Sequence, residues 1–304
     1  MIERRAEPTL VVLGSAAGGG FPQWNCGCSL CCLARQGDKR VRPATQASVA
    51  ASGDGQQWLI IGASPDLRQQ LAQTPLLWPR GGTRDSPVSG VVLLGGDIDA
   101  IAGLLVLRER QPFTIYAPRP LLRLLADNDI FNVLDPALVR RVEIDPLNPV
   151  ECAGGITLTL LPMPGKVPLY RETPGATAPE AGPTYAAMIS TSGRNAVVAP
   201  ACADITDHVL AQLRDADVLF FDGTLFSDDE MIAAGLGEKT GTRMGHVPIS
   251  GPNGTLARLA GLSARRILLH INNTNPILLS DSPERRQVEA AGFEVAFDGM
   301  EVRL

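Results

Sequence analysis

The stretch "LLGGDIDAIAG", residues 93–103, runs from a hydrophobic segment through two glycines into a small-residue pattern, with Asp97 and Asp99 flanking one isoleucine. On an extended path, side chains at i and i+2 project to the same side of the chain. The two carboxylates would then form a pair able to hold a divalent ion, with an imidazole brought from elsewhere in the sequence. Two carboxylates and one imidazole are related to the facial triad of non-haem Fe(II) oxygenases, which has the opposite ratio. A competing reading makes Asp99, just before a helical pattern, an N-cap that accepts a backbone N–H worth about 1 kcal/mol. These residues alone leave both readings standing.

Outward from this stretch, apolar and β-branched runs recur at Thr9–Leu13, Trp58–Ile61, Val91–Leu94, Phe113–Tyr116, Ile156–Leu161, Ala196–Val198, Val218–Phe221 and Ile267–Leu269. They are continuous rather than alternating, which is the pattern of strands buried on both faces. Helical patterns at Pro65–Gln73, Ile101–Arg108, Pro120–Ala126, Asp204–Asp215, Asn253–Gly261 and Ser282–Ala291 lie between many of them. The alternation predicts an α/β protein with helices covering sheets. Trp78–Ser89 and Gly165–Gly182 read as loops, and a loop as long as the second is more often functional than decorative.

With 304 residues, 45% of them hydrophobic, the chain can bury a large core. The net charge is −5 and no run of Lys or Arg exceeds two residues, which argues against a nucleic-acid groove or an anionic membrane surface. The N-terminal apolar run is too short for a secretory segment and no stretch is long enough to span a membrane, so a cytoplasmic protein is expected.

Six cysteines are present, and four crowd into "FPQWNCGCSLCCLAR", residues 21–35. In a reducing compartment such a cluster reads as metal binding before disulfide. Cys26, Cys28 and Cys31 have separations that can converge on one tetrahedral Zn²⁺. Cys32 is adjacent to Cys31 and reaches the same ion with difficulty, so a fourth ligand from elsewhere is expected. Only three histidines occur, His208, His246 and His270, which excludes a histidine-rich catalytic metal centre. His270, in "RRILLHINNTNPI", ends a predicted buried strand, where functional groups are held by a rigid sheet. His246, in "MGHVPISGPNG", sits in a glycine- and proline-rich turn. Asp222, in "DVLFFDGTLF", also ends a strand, where it could hydrogen-bond a histidine and fix its tautomer. His208 lies on a polar helix face and receives no role.

Three segments together, "VVLGSAAGGGFPQWNCGCSLCC", "TRMGHVPISGPNG" and "HINNTNPILLSDSPERRQVEAAGFEVAFDGMEV", resemble the PqqB family of pyrroloquinoline quinone biosynthesis, over essentially the whole chain. The resemblance implies a metallo-β-lactamase fold spanning residues 1–304, an αββα sandwich of two mixed sheets with helices outside. The superfamily carries a His-x-His-x-Asp-His signature. Anchored on the "GLL" that follows, its four positions fall on Gly95, Asp97, Asp99 and Ala100, so only the aspartate at 99 is kept. The ordinary dinuclear zinc hydrolase site is therefore not expected. His270 falls at the superfamily's last metal-histidine position, which implies Asp97, Asp99 and His270 as the active-site ligands, with Fe²⁺ the expected ion. In related phosphodiesterases of the PhnP type a Cys-x-Cys-x-x-Cys zinc site is completed by a histidine three residues after that last metal histidine. That position here is Asn273, implying a structural Zn²⁺ on Cys26, Cys28, Cys31 and Asn273, with Cys32 as the alternative ligand. His246 matches the general-acid histidine of RNase Z-like members, and Asp222 its carboxylate partner.

The activity implied is iron-dependent, O₂-using hydroxylation of the tyrosine ring of a Glu–Tyr-derived precursor. Backbone N–H groups of the Ser15–Gly20 loop (Ser15, Gly19, Gly20) and the side chain of Arg243 would receive the substrate's carboxylates. The alternative is a carrier or export accessory that binds the finished quinone or a late intermediate without catalysis. Hydrolysis is the least expected role, and a homodimer is compatible with the sequence.

Overall fold

The computed structural model describes residues 7–174, 178 and 180–304. The N-terminal residues 1–6 and part of the Gly165–Gly182 loop, both read above, lie outside the described residues. The first sheet is built from β1 (Thr9–Gly14), β2 (Ser48–Ser52), β3 (Trp58–Ile61), β4 (Val88–Val92), β5 (Phe113–Ala117) and β6 (Val139–Glu143). The second contains β7 (Val150–Cys152), β8 (Ile156–Met163), β9 (Thr184–Thr191), β10 (Arg194–Ala199), β11 (Val218–Asp222), β12 (Arg265–Leu269) and β13 (Phe293–Val295). A last strand, β14 (Glu301–Arg303), returns to pair antiparallel with β1.

Strand order is β14-β1-β2-β3-β4-β5-β6 in one sheet and β13-β12-β11-β10-β9-β8-β7 in the other. Each sheet has an antiparallel half and a parallel half, the change falling at β3 in the first and at β10 in the second. The expected pair of mixed sheets is therefore what forms.

Residue alternation shows how the layers are held. In β11, Val218 and Phe220 pack into the core shared by the two sheets, with Ile60, Val92, Ile115 and Leu158 among its members. Leu219 and Phe221 point the other way, against Val209, Leu213, Leu259 and Val288 of the covering helices. Neither face of this strand meets water, so the run has no polar alternation to show.

Each predicted apolar run lies in a strand except for Leu93 and Leu94, which continue β4 as a buried extension. The carbonyl of Leu94 accepts the N–H of Tyr185 in the second sheet at 2.8 Å. The sequence did not announce β2, β6, β7, β9, β13 and β14, and two of these show why. β2 is "SVAAS", fully buried yet made of small residues with little β-preference, and its position between β1 and β3 overrides them. β6 is "VRRVE", a polar edge strand.

The predicted helix Ile101–Arg108 is instead an α-helical turn at Ile98–Ile101 followed by a 3₁₀ segment, Ala102–Leu107. Gly103 explains the change: its N–H donates to the carbonyl of Ala63 at 2.8 Å rather than to its own helix. A Cβ at Gly103 would lie 2.2 Å from the backbone oxygen of Ser64. Gly103→Ala is expected to destabilise the chain by about 2–3 kcal/mol through overpacking against rigid backbone. Urea unfolding should show a lower midpoint at unchanged slope; an unchanged midpoint would mean that the two segments can separate freely.

Candidate functional site

β11 and β12 are parallel neighbours, with Asp222 registered against Leu269. The loops that leave their C-terminal ends therefore converge, bringing Asp222, Thr224 and His270 together. His270 adopts φ 61°, a left-handed conformation rare for a residue with a Cβ. Such backbone strain persists where surrounding contacts impose it, and it concentrates at functional sites. His246 arrives from the turn after the helix Gly241–Met244, which ends on the left-handed Gly245.

Asp222 is fully buried. One oxygen, Oδ2, accepts the N–H of Cys202 at 2.9 Å and Nδ1–H of His246 at 2.8 Å. The other, Oδ1, accepts the N–H of Thr224 at 3.0 Å and its hydroxyl at 2.6 Å. That hydroxyl has only one proton, so at 2.8 Å from Nδ1 of His270 it can only accept. The network thus assigns both histidines a protonated Nδ1 and turns both Nε2 atoms away from Asp222. The rings are stacked with centroids 5.2 Å apart. Donor atoms of Asp222, His246 and His270 lie within 4.8 Å of one another, but both Nδ1 atoms are already engaged with Asp222 or Thr224. This trio orients the imidazoles and does not itself form a metal cage. Thr224, two residues beyond Asp222, was not anticipated, since nothing distinguishes it from an ordinary loop threonine.

Nε2 of His270 faces Oδ2 of Asp99 at 3.0 Å. Burial disfavours charge on both, yet the mutual hydrogen bond prevails: the Asp99 pKa is lowered and that of His270 raised. A carboxylate and an imidazole nitrogen therefore share one proton across 3.0 Å, an arrangement in which a cation can take the proton's place.

The two aspartates do not form the expected same-side pair. The chain turns helical at Ile98, which makes Asp97 the N-cap position and places Asp99 in the first turn. This reverses the capping expectation for Asp99, and Asp97 makes no side-chain capping bond either. Instead Oδ1 of Asp97 accepts the N–H of Leu169 at 3.2 Å and lies 3.9 Å from Nζ of Lys166. Burial raises its pKa, against the pull of Lys166.

Asp97, Asp99, His246 and His270 all border one cavity of about 700 Å³, within the range of small-molecule sites. Lys166, Leu169 and Glu172 of the long loop after β8 line it too. That loop was legible as functional by its length, but its charged residues were not singled out.

The expected amide cradle does not form. The N–H groups of Ser15, Gly19 and Gly20 donate to Asp298 (3.0 Å), Gln46 (3.0 Å) and Ala17 (3.1 Å), so they are spent on folding the loop. The hydroxyl of Ser15 also donates to Asp298. Arg243 is turned to Glu172, with Nη2 3.4 Å from Oε2.

At the other end of the "HINN" segment, Nδ2 of Asn273 lies 3.2 Å from Sγ of Cys26, 3.8 Å from Cys28 and 3.5 Å from Cys31. The three sulfurs lie within 4.8 Å of one another. Cys32 is exposed and directs its thiol to the carbonyl of Gly27 at 3.4 Å, so the residue brought to the cluster is Asn273. Burial opposes ionisation of Cys26, but hydrogen bonds from Cys28, Cys31 and Asn273 outweigh it and lower its pKa. Burial pushes Cys31 up to about 11.

The remaining asparagines bind this segment in place. Asn272 Nδ2 donates to Thr274 Oγ1 at 2.6 Å, and Asn275 Nδ2 to the carbonyls of Gly223 (2.9 Å) and Thr224 (3.2 Å). Beneath them the carboxyl of Glu230 accepts from the Thr274 hydroxyl and from the N–H of Phe226.

Comparison with known proteins agrees with this geometry. The Beta-lactamase superfamily domain matches residues 57–271, so fold and site define a member of that superfamily. Coenzyme PQQ synthesis protein B of Methylobacterium nodulans is 51% identical over 297 residues, covering 97% of this chain and 99% of that protein. Its counterpart in Gluconacetobacter diazotrophicus is 50% identical over 303 residues, covering 96% and 98%. The crystal structure of Zn²⁺-bound PqqB from Methylobacterium extorquens matches with a TM-score of 0.94 at 48% identity, covering 97% of this chain and all of that one. The chain belongs to the coenzyme PQQ synthesis protein B family. Among the described residues, no helix is long and apolar enough to cross a membrane.

Glu230 gives a pH test of the segment. Burial raises its pKa from 4.5 to about 7, so between these values the folded chain holds a proton that the unfolded chain releases. Its contribution is intact below pH 4.5 and is lost as pH rises through about 7, roughly 3 kcal/mol in all. Glu230→Gln, whose amide oxygen can accept the Phe226 N–H while its NH₂ donates to the Thr274 hydroxyl oxygen as the protonated acid would, should match the parent near pH 4.5 and exceed it at pH 8 in chemical denaturation. Parallel pH profiles for the two proteins would exclude this assignment.

Proposed function

We propose that the chain is an iron-dependent hydroxylase of pyrroloquinoline quinone biosynthesis, oxygenating the tyrosine ring of a Glu–Tyr-derived precursor with O₂ and an external two-electron donor. The observation that carries it is the Asp99–His270 pair, 3.0 Å apart at a small-molecule cavity with the far ring nitrogen fixed by Thr224. Asp99 and His270 fit a divalent ion, since they already share a proton where a cation could stand. Asp97, on the same cavity wall, would join them by exchanging the Leu169 N–H and Lys166 for the ion. The iron, when bound, supplies the one-electron chemistry that O₂ requires. Three protein ligands leave positions open for it.

His246 handles the proton of the phenol: Asp222 holds its Nδ1–H, leaving Nε2 as the basic atom directed toward the cavity. A structural Zn²⁺ would be held by Cys26, Cys28, Cys31 and Asn273. The Asn273 amide already converges on all three sulfurs, and rotating it exchanges the nitrogen for its carbonyl oxygen.

A second reading, a carrier of the finished quinone, is favoured by the cavity volume of about 700 Å³, more than a tyrosyl ring alone needs. Titrating the iron-loaded protein with the quinone while monitoring oxygen uptake on Glu–Tyr separates the two. Tight quinone binding with no uptake supports the carrier.

Asp99→Ala, prepared anaerobically, is expected to lose iron, keep zinc and fold, and lose roughly 100-fold or more in kcat, since even residues behind metal ligands are worth 10–100-fold. An Asp99→Ala protein that takes up oxygen at the parent rate would sink the iron site. Cys31→Ser should release the zinc and lower thermal stability, because metal binding there is folding free energy. Metal analysis that finds equal zinc in this variant and the parent would remove the thiol site.

A further inference from the structure

Glu172 is a carboxylate inside the cavity wall that the proposed chemistry does not use. Its side chain is 9% exposed and meets three cations. Oε2 is 2.7 Å from Nζ of Lys239 and 3.4 Å from Nη2 of Arg243, and Oε1 is 3.4 Å from Nζ of Lys166. Lys166 is itself 13% exposed, and its only other anionic neighbour among the described residues is Asp97 at 3.9 Å. Two lysines and Arg243 thus converge on the one carboxylate of Glu172, with Asp97 a further 3.9 Å from Lys166. Lys166 and Arg243 are largely buried, and buried cations are costly unless an anion meets them, while Lys239 reaches the same carboxylate from a half-exposed position. Lysines and an arginine aimed at one point of a ligand cavity therefore form an anion site, and the chain supplies the anion now in it. Glu172 follows the short 3₁₀ turn Leu169–Arg171 on a surface loop, whereas Lys166 is held near the end of β8 by a bridge to Ala181.

We propose that Lys166 and Lys239 form a carboxylate-recognition subsite, that Glu172 fills it when no ligand is bound, and that the C-terminal carboxylate of a peptide ligand displaces Glu172. The proposal rests on the reading that an amino-acid-derived polycarboxylate occupies this cavity. It gives opposite signs for the two kinds of substitution. Removing a lysine removes attraction for the ligand, whereas removing the charge of Glu172 removes a competitor. A purely structural cluster would give losses for both.

The test is calorimetric binding to the full-length, metal-loaded chain, with glutamyl-tyrosine, its C-terminal amide and pyrroloquinoline quinone as probes. Glu172→Gln is expected to bind glutamyl-tyrosine about fivefold tighter, the cost of displacing an internal competitor being lifted. Lys166→Met should bind about tenfold weaker, as a partner of a desolvated charge pair does. Both effects should shrink toward none with the amide. Equal or weaker binding by a folded Glu172→Gln overturns the proposal, as does failure of every probe to bind the parent chain. Should Glu172→Gln not fold, Lys239→Met decides: a loss seen with the acid but not the amide supports the subsite, and equal losses with both overturn it. Oxygen uptake judges the hydroxylase reading separately. The binding pattern without uptake refutes catalysis and leaves the subsite, while uptake with a KM insensitive to Lys166 and Glu172 does the reverse.

Discussion

Asp222 is a carboxylate with no solvent contact, and its cost is met by four hydrogen bonds. An unpaired buried carboxylate would be strongly destabilising, so each donor is fixed in place as long as the charge stays buried. Two of those donors come from Thr224, whose hydroxyl is thereby committed and can only accept from His270. The third is His246 and the fourth is the backbone of Cys202 at the end of the neighbouring β10 loop. One buried charge thus sets the tautomer and orientation of two imidazoles from separate loops. The fold's contribution is the parallel register of β10, β11 and β12, which ends these strands at one level.

The segment His270–Asn275 extends that order to the thiol cluster. His270 accepts left-handed backbone strain, and within three residues the chain turns from one candidate metal site to the other. Asn275 ties the segment to the Gly223 and Thr224 carbonyls. A metal on the thiols would brace the same loop that presents His270, so the cluster can matter to activity without touching substrate.

Much of this was legible in the sequence. Strands buried on both faces show as continuous apolar runs, and β3, β5, β8, β10, β11 and β12 were all visible in that way. Asp222, His246 and His270 stood at strand ends or in a turn, and Cys26-x-Cys28-x-x-Cys31 carried its own spacing. What stayed hidden has a common cause: it depends on backbone direction over one or two residues. Asp97 and Asp99 looked like a same-side pair because strand spacing was extended two residues too far, when the helix begins at Ile98. The Ser15–Gly20 loop looked like an anion cradle, but the amides of Ser15, Gly19 and Gly20 point to Asp298, Gln46 and Ala17. Lys166 and Glu172 sit in a loop without periodicity, so only the tertiary fold brings them to the cavity.

The thinned superfamily signature acquires a meaning from the cavity. Gly95 and Ala100, at positions where the signature carries histidines, both line it. A Cβ at Gly95 would meet nothing within 4 Å, so a longer side chain there would project into open space. Two imidazoles at these positions would occupy volume that is now free, and would add neutral ligands where the site has carboxylates. Glycine and alanine there leave open space in the cavity that the Asp99–His270 pair also borders. The proposed ligands Asp97, Asp99 and His270 would form a set richer in oxygen than in nitrogen, which favours harder divalent ions than a histidine-lined site does. On the proposed assignment, glycine and alanine at these two positions would therefore bear on both the space and the metal preference of the cavity.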